Sequence, residues 1–187
     1  MDVGASTGGF SDCMLQHGAA HVYAVDVGHD QLHEKLRADN RVTVLEGTDV
    51  RSKALCEAVP SASIDVCSVD VSFVSLTYVL PSILPYLKEN ATLVCLIKPQ
   101  FEAGARDVGK HGVVKDRRVH TRVLRDMLLT FDSLGLSVKH LTYSPITGGE
   151  GNIEYFAVLG GANSAVIDVE ALVDEAHTAL KGNTKQR

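Results

Sequence analysis

The chain has 187 residues, of which 45% are hydrophobic and 22% are charged, and its formal net charge is −5. These values describe one soluble globular domain that is large enough to bury a sizeable core. No apolar run approaches the ~20 residues needed to cross a bilayer, and Met1 leads directly into a glycine-rich motif rather than a signal peptide, so we expect a cytoplasmic protein without a membrane span.

The first motif is a glycine-rich turn between a strand and a helix, with the sequence Asp2-Val3-Gly4-Ala5-Ser6-Thr7-Gly8-Gly9-Phe10. Glycines permit positive φ and let a ligand lie against bare backbone. The spacing differs from the G-x-G-x-x-G pattern that binds a pyrophosphate. An acid beside the turn repels phosphate but suits an ammonium or sulfonium group. The motif therefore favours S-adenosylmethionine over NAD, with Asp2 accepting hydrogen bonds from the cationic head of the ligand; a purely structural turn is the alternative.

Apolar and helical patterns alternate along the rest of the chain. Strands are predicted at His21–Asp26, Arg41–Glu46, Ile64–Val71, Thr92–Lys98, Leu136–Tyr143 and Ile153–Leu159. Helices are predicted near Gly9–His17, His29–Ala38, Leu76–Leu87, Arg117–Leu134 and Val166–Leu180. This alternation predicts a doubly wound, Rossmann-like α/β fold with a mostly parallel sheet. The Ser144–Asn152 connection leaves no room for a helix, so the last two strands should pair antiparallel, as in the methyltransferase version of this fold.

The first strand is expected to be short, because only Met1–Val3 precede the glycine turn and strands normally run about 5–6 residues. We therefore predict a seven-stranded sheet with a truncated first strand, as if an amino-terminal part of the protein were missing. The folded domain should span residues 1–160, and residues 161–187 should form a C-terminal helix and a polar tail.

Two strand ends offer residues for a nucleoside ligand, because ligands of such folds bind beyond the carboxyl ends of the strands. Asp26 and Val27 follow the second strand, where an acid can bind ribose hydroxyls. Asp49 and Val50 follow the third strand and are placed to meet an adenine edge. These four residues are therefore predicted to bind the cofactor.

Three ionisable residues are predicted to converge on the same rim. Asp70 and Lys98 lie at the ends of the fourth and fifth strands, and Glu154 lies at the start of the antiparallel strand. Charged groups that emerge from apolar strands are costly unless they pair. A buried ion-pair network would explain any one of them, but three beside a glycine turn favour a catalytic site.

A basic segment runs from Arg106 to Arg125, with seven bases against two acids, so that it carries +5 and the remainder of the chain −10. A basic patch on an acidic body favours a polyanionic partner that meets one face. A solvated loop and helix face is the alternative. The residues predicted to contact this polyanion are Arg106, Lys110, Lys115, Arg117, Arg118 and Arg122.

The cysteines and histidines do not predict a metal site. The four cysteines occur singly, which is typical of reduced thiols in a cytoplasm. Two histidine pairs have helical spacing, His17 with His21 and His29 with His33, but neither has a third ligand nearby. We interpret them as surface or packing residues.

Several motifs together resemble the hemolysin A (TlyA) family of ribosomal RNA methyltransferases, within the FtsJ-like 2′-O-methyltransferases. The resemblance covers the chain from Asp2 to about Leu159, on the motifs D-V-G-A-S-T-G-G-F (2–10), A-V-D-V-G (24–28), D-V-S-F-V-S-L (70–76), I-K-P-Q-F-E-A-G (97–104), G-V-V-K-D (112–116) and G-N-I-E (151–154). It implies methyl transfer from S-adenosylmethionine to a ribose 2′-hydroxyl, typically of a cytidine, in ribosomal RNA or ribosomal subunits.

The resemblance also implies a Lys-Asp-Lys-Glu tetrad, whose last three members fall on Asp70, Lys98 and Glu154. Asp70 also belongs to the implied cofactor site. Members of the family carry an amino-terminal RNA-binding domain and the first tetrad lysine upstream of the glycine turn, whereas this sequence has no lysine before Lys35. A cofactor- and RNA-binding protein without turnover is therefore an alternative to the enzyme. A membrane-active hemolysin and an NAD-dependent oxidoreductase are more distant alternatives.

Overall fold

The fold is that of a computed structural model, which describes residues 1–180; the polar tail predicted from Gly182 onward lies outside the described residues. The strands are β1 (Asp2–Val3), β2 (Val22–Val25), β3 (Val42–Leu45), β4 (Ile64–Val69), β5 (Leu87–Ile97), β6 (Val138–Tyr143) and β7 (Tyr155–Leu159). The α-helices are α1 (Gly9–Gln16), α2 (Glu34–Arg37), α3 (Lys53–Ala58), α4 (Leu76–Ile83), α5 (Pro99–Glu102), α6 (Arg117–Ser133) and α7 (Val169–Leu180).

The strands form one seven-stranded sheet with the order β3-β2-β1-β4-β5-β7-β6. Strand β1 pairs in parallel with β2 and β4, and β2 pairs in parallel with β3. Strands β6 and β7 are antiparallel, with Tyr143 opposite Tyr155. The predicted α/β fold and the predicted antiparallel pair are therefore confirmed.

Strand β1 has two residues, yet both are buried and paired on two sides. Asp2 lies opposite Ala24 of β2 and Ser68 of β4. The backbone carbonyl of Val3 accepts a hydrogen bond from the Asp70 amide at 2.9 Å. This short strand thus fixes the place of the turn that follows it.

The chain divides into two compact units. The first unit comprises Met1–Val71 and Tyr78–Val94, and the second comprises Ser72–Thr77 and the chain from Cys95 onward. The core of the first unit contains a cluster of apolar side chains from the glycine turn, α1, β2 and the segment before β3, namely Ala5, Leu15, Val22, Ala24, Leu32 and Leu36.

In the second unit, α6 packs against α7. Helix α6 also contributes a buried polar side chain, His120. The imidazole of His120 is fully buried, with Nε2 2.9 Å from the Val114 carbonyl oxygen and Nδ1 3.0 Å from the Tyr155 hydroxyl. Since the carbonyl can only accept, Nε2 carries the proton and Nδ1 accepts from the Tyr155 hydroxyl. Burial accordingly lowers the pKa of His120, and the side chain anchors the segment before α6.

Most predicted elements are observed to within a few residues, but the prediction of one helix was largely wrong. The pattern predicted a helix over His29–Ala38, whereas only Glu34–Arg37 is helical. Residues before Glu34 form a loop in which Asp30 has a φ of 55°. The short helices α3 and α5 were not predicted.

Two other helices are shorter than predicted. Helix α4 ends at Ile83 and a 3₁₀ turn covers Leu84–Tyr86, because Pro85 disfavours α conformation at the residue before it. Helix α7 begins at Val169, where the Asp168 carboxylate accepts a hydrogen bond from the Ala171 amide at 3.0 Å and so caps the first turn. Among residues 1–180, no helix is long and apolar enough to span a membrane.

Candidate functional site

The glycine turn after β1 is packed tightly against its own unit. Gly4 has a φ of +80°, and a Cβ at this position would lie 2.2 Å from the Asp70 carbonyl oxygen. The amides of Gly4 and Ala5 both donate to the Val25 carbonyl, at 2.9 and 3.1 Å. Gly9 differs, because no heavy atom beyond its chain neighbours and its own helix backbone lies within 4 Å of its ideal Cβ position. The space beside the backbone at Gly9 is therefore open.

The carboxylate of Asp2 is occupied by protein groups rather than exposed to a ligand. Its side chain is buried, with 1% of the residue exposed. Oδ2 accepts from the Ser11 amide at 2.9 Å and from the Ser11 hydroxyl at 2.7 Å, and Oδ1 accepts from the Ser68 hydroxyl at 2.8 Å. The prediction that Asp2 contacts a cationic head group is therefore corrected. Asp2 instead joins β1, α1 and β4.

Asp26, directly after β2, is held by backbone amides. Oδ2 accepts from the Ser6 amide at 2.7 Å and Oδ1 accepts from the Gly28 amide at 2.7 Å. Each carboxylate oxygen has two lone pairs, so both retain acceptor capacity toward a further donor. Val27 beside it is 69% exposed, which leaves an apolar surface next to a fixed acceptor.

Glu46, which the sequence pattern did not single out, organises the loop before α2. Its carboxylate accepts from the amides of Asp30, Gln31 and Leu32 and from the Arg37 guanidinium, at 2.7 to 3.1 Å. These bonds, led by the one from Leu32, lower the pKa of Glu46 to about 2. An acid directly after a strand and before a glycine was the available signal.

Asp49 pairs with Arg51, which lies two residues later in the chain. The Arg51 side chain donates from Nε at 2.9 Å and from Nη2 at 2.6 Å to the two Asp49 oxygens, and the Arg51 amide donates at 2.8 Å. These bonds lower the pKa of Asp49 to about 2. Val50 beside it is half-buried. A cofactor role for Asp49 and Val50 remains a prediction.

In the second unit, Lys98 lies directly after β5 at the start of α5. Its Nζ donates to the Ser72 hydroxyl at 3.0 Å and lies 5.9 Å from the centre of the Phe101 ring. The Phe101 ring packs against the Phe73 ring, with centroids 5.0 Å apart. Phe73 is 91% exposed and has a φ of 63°, an unfavourable backbone conformation for a bulky residue.

Glu154 lies in the same unit, just before β7, and is 8% exposed. Its Oε1 accepts a hydrogen bond from Gln100 Nε2 at 2.8 Å, and Gln100 is two residues beyond Lys98. A Cβ on Gly148 would lie 2.3 Å from the same oxygen, so a side chain at position 148 would displace this carboxylate. Asp70 directly follows β4 and belongs to the first unit.

Asn152 connects the loop before α6 to the loop before β7. The sequence pattern did not predict this role. It is 3% exposed. Its Oδ1 accepts from the Val114 amide at 3.1 Å, and its Nδ2 donates to the carbonyls of Gly112 at 2.9 Å and Gly149 at 3.2 Å. The basic loop before α6 is thereby fastened to the loop before β7.

The predicted RNA-binding residues separate into two groups. Arg118 pairs with Asp116 at 3.1 Å, Arg122 pairs with Asp107 at 2.7 Å, and ion pairs also join Arg117 to Asp174 and Arg125 to Glu170. Their charges are thus offset in part by neighbouring acids, and a role of these residues in RNA binding remains a prediction. Of the six residues predicted to bind RNA, the other three, Arg106, Lys110 and Lys115, are exposed and make no ion pair with the residues that the structure describes.

The chain matches known proteins over most of its length. The family of FtsJ-like methyltransferases matches residues 1–161. The 16S/23S rRNA (cytidine-2′-O)-methyltransferase TlyA of Mycobacterium tuberculosis is 39% identical over 180 residues, covering 96% of this chain and 66% of that protein. The chain therefore spans slightly less than two thirds of the length of this relative.

Solved structures agree with this match. A candidate hemolysin from Streptococcus thermophilus has a TM-score of 0.87 at 42% identity, covering 99% of this chain and 68% of that chain. A SAM-dependent methyltransferase from Aquifex aeolicus shares the fold at a TM-score of 0.56 and 17% identity, covering 84% of this chain and 79% of that chain. By its sequence and its fold, the chain belongs to the FtsJ-like methyltransferase family.

Proposed function

We propose that the protein transfers a methyl group from S-adenosylmethionine to a ribose 2′-hydroxyl of ribosomal RNA, with cytidine as the target nucleoside. The observation that carries this proposal is Lys98, whose amine is held by a hydroxyl beside an exposed aromatic ring, in a chain of this family. The relatives named for this activity support the choice of substrate. Such a substrate would place the activity in the cytoplasm.

The residues of the first unit fit S-adenosylmethionine. Asp26 offers fixed carboxylate oxygens for ribose hydroxyls, and the exposed face of Val27 suits the edge of a base. Gly9 leaves room for a ligand against the backbone at the start of α1. The remaining turn residues, Ala5, Ser6, Thr7, Gly8 and Phe10, are proposed as the lining of the same site. When bound, S-adenosylmethionine supplies a methyl group that its sulfonium has already activated.

The chemistry required of the protein is to position a poor nucleophile and to manage its proton. As the new carbon–oxygen bond forms and the carbon–sulfur bond breaks, the 2′-hydroxyl loses its proton. Lys98 either accepts that proton as an amine or, as an ammonium, stabilises the developing alkoxide. We propose that Asp70 orients this amine and that Glu154 fixes its geometry. Positioning should contribute most, because the donor is already activated.

The target nucleoside needs a surface to lie on, and the second unit provides one. Phe73 presents almost its whole ring to solvent, and Phe101 supports it from behind. An aromatic ring of this kind stacks on an unpaired base with a free energy of about 1–3 kcal/mol. We propose that the exposed bases of the neighbouring loop, Arg106, Lys110 and Lys115, contact RNA phosphates.

Replacing Lys98 by alanine tests the catalytic assignment. We expect the rate of methyl transfer to ribosomal RNA to fall by at least about 10²-fold, because one positioned acid–base group contributes about that much. The dissociation constant for S-adenosylmethionine, measured by calorimetry, should change little. Lys88→Ala is the matched control, since Lys88 is an exposed lysine on the same strand and pairs with Asp65.

The outcomes separate the candidate functions. Transfer at an unchanged rate by Lys98→Ala would refute the assignment of Lys98. Binding of S-adenosylmethionine without any methyl transfer by the unmodified chain would favour a cofactor-binding protein without turnover. Failure to bind S-adenosylmethionine would contradict the proposed function as a whole.

A further inference from the structure

Glu102 forms a bridge between α5 and the segment Ser72–Thr77. Its Oε1 accepts from the Leu76 amide at 2.9 Å, and its Oε2 accepts from the Ser75 hydroxyl at 2.6 Å. The Leu76 amide is among the first amides of α4, which have no partner within the helix. The carboxylate of Glu102 therefore caps α4 from outside that helix.

The same segment contacts α5 at two further points. The Ser72 hydroxyl accepts from Lys98 Nζ at 3.0 Å, and the Phe73 ring packs on Phe101. On the other side, Glu102 lies one turn beyond Lys98, and its amide donates to the Lys98 carbonyl at 3.2 Å. Lys98 and Glu102 thus hold opposite ends of one short segment from one short helix.

We propose that Glu102 is a positioning residue for methyl transfer, which acts by holding Ser72 against the Lys98 amine and Phe73 against Phe101. This inference rests on the proposed function. Ser72 and Phe73 have exposed side chains, and Phe73 has an unfavourable φ. Such a conformation persists only where its surroundings fix it. The two bonds that the Glu102 carboxylate accepts supply such a restraint, because hydrogen bonds to a charged acceptor are stronger than hydrogen bonds between neutral groups.

Burial raises the pKa of Glu102, and the bonds from Leu76 and Ser75 act in the opposite direction. The side chain is therefore buried at a cost in solvation that its two hydrogen bonds offset only in part. Helix α4 already has a local cap, because the Ser75 hydroxyl accepts a hydrogen bond from the Thr77 amide at 3.1 Å. The Glu102 carboxylate adds a second restraint, from the helix that directly follows Lys98.

The test is a double-mutant cycle of Glu102→Gln with Ser72→Ala, with methyl transfer and thermal unfolding both measured. Glu102→Gln should lower kcat by about tenfold to a hundredfold, with little change in the dissociation constant for S-adenosylmethionine. In the Ser72→Ala background the same substitution should lower kcat by a smaller factor than in the unmodified chain, because one of the two contacts through which it acts is already gone. Glu89→Gln, an exposed glutamate on β5, is the matched control and should leave kcat unchanged.

Equal losses of kcat in both backgrounds, or a loss that simply follows the unfolding temperature, would overturn the proposal. Should Glu102→Gln fail to fold, Ser75→Ala removes one of the two bonds and is subject to the same criteria. Hydrogen exchange of the 72–77 amides separates this inference from the proposed function. If the unmodified chain transfers no methyl group, unchanged exchange in Glu102→Gln would still show that Glu102 does not hold the segment.

Discussion

At the scale of single residues, Gly4 shows how closely the turn after β1 approaches the end of β4. The position combines a left-handed φ with a carbonyl oxygen 2.2 Å from where a side chain would begin. Gly9, five residues later, has neither feature. The two glycines of one motif therefore have different physical roles.

Substitution of these glycines by alanine should separate the roles. Gly4→Ala should lower the free energy of unfolding by at least about 1–3 kcal/mol from the φ penalty alone, with the overlap against Asp70 in addition. Gly9→Ala lies in α1 and should be neutral or slightly stabilising. Urea denaturation of both variants measures the difference. Equal stabilities would contradict the packing described for Gly4.

Asp2 shows why a residue's role is hard to predict from sequence. Its place beside the glycine turn was correctly predicted, because strand and turn patterns are local. Its partners could not be predicted, since Ser68 is 66 residues away and becomes its neighbour only through the pairing of β1 with β4. Lys98 was easier to predict, because a lysine directly after a buried strand is a local signal.

At the scale of elements, the loop before α2 depends on one side chain. Apolar spacing predicted a helix from His29, but Glu46 supplies acceptors for three successive amides and so stabilises a loop instead. A hydrophobic pattern does not reveal that a distant carboxylate will compete with the helix. Helix α6, in contrast, was predicted almost to the residue, because Asp116 caps it locally.

The role of Glu46 predicts a dependence of stability on pH. Its pKa falls from an ordinary value of 4.5 to about 2 in the folded protein. The stabilisation is therefore present above pH 4.5 and is lost as the pH falls toward 2. Glu46→Gln should be less stable than the unmodified chain at neutral pH, and the difference should shrink over this window.

Urea denaturation at a series of pH values measures the effect. Glu34→Gln, which changes an exposed glutamate of α2, is the matched control and should show no such convergence. A stability difference for Glu46→Gln that stays constant between pH 7 and pH 2 would contradict the proposed role of the carboxylate.

At the scale of the whole molecule, the fold class and the charge distribution were predictable to different degrees. The alternation of strands and helices and the short connection before β7 were sufficient for the fold class and the antiparallel pair. The basic segment was visible in the sequence, but its ion pairs were not. Two of the acids that offset it, Asp174 and Glu170, lie on α7, far along the chain.

This distribution predicts which bases give RNA binding its dependence on salt. Replacing Arg106, Lys110 and Lys115 together by alanine should weaken binding and reduce the slope of log K against log salt by about 2, since each phosphate contact with single-stranded RNA contributes about 0.7. Filter binding over a range of salt concentrations measures the slope. The matched control replaces three exposed lysines elsewhere, namely Lys35, Lys53 and Lys139. A control that reduces the slope equally would contradict the assignment.

The backbone conformation at Phe73 is unfavourable for stability, although its exposed ring is the surface proposed to stack on a base. Glycine would adopt its φ of 63° without strain and would remove an apolar ring from water. The contact of the Phe73 ring with Phe101 offsets part of that cost. If Phe73 stacks on a base as proposed, a protein engineer who seeks a more stable variant should leave this residue unchanged.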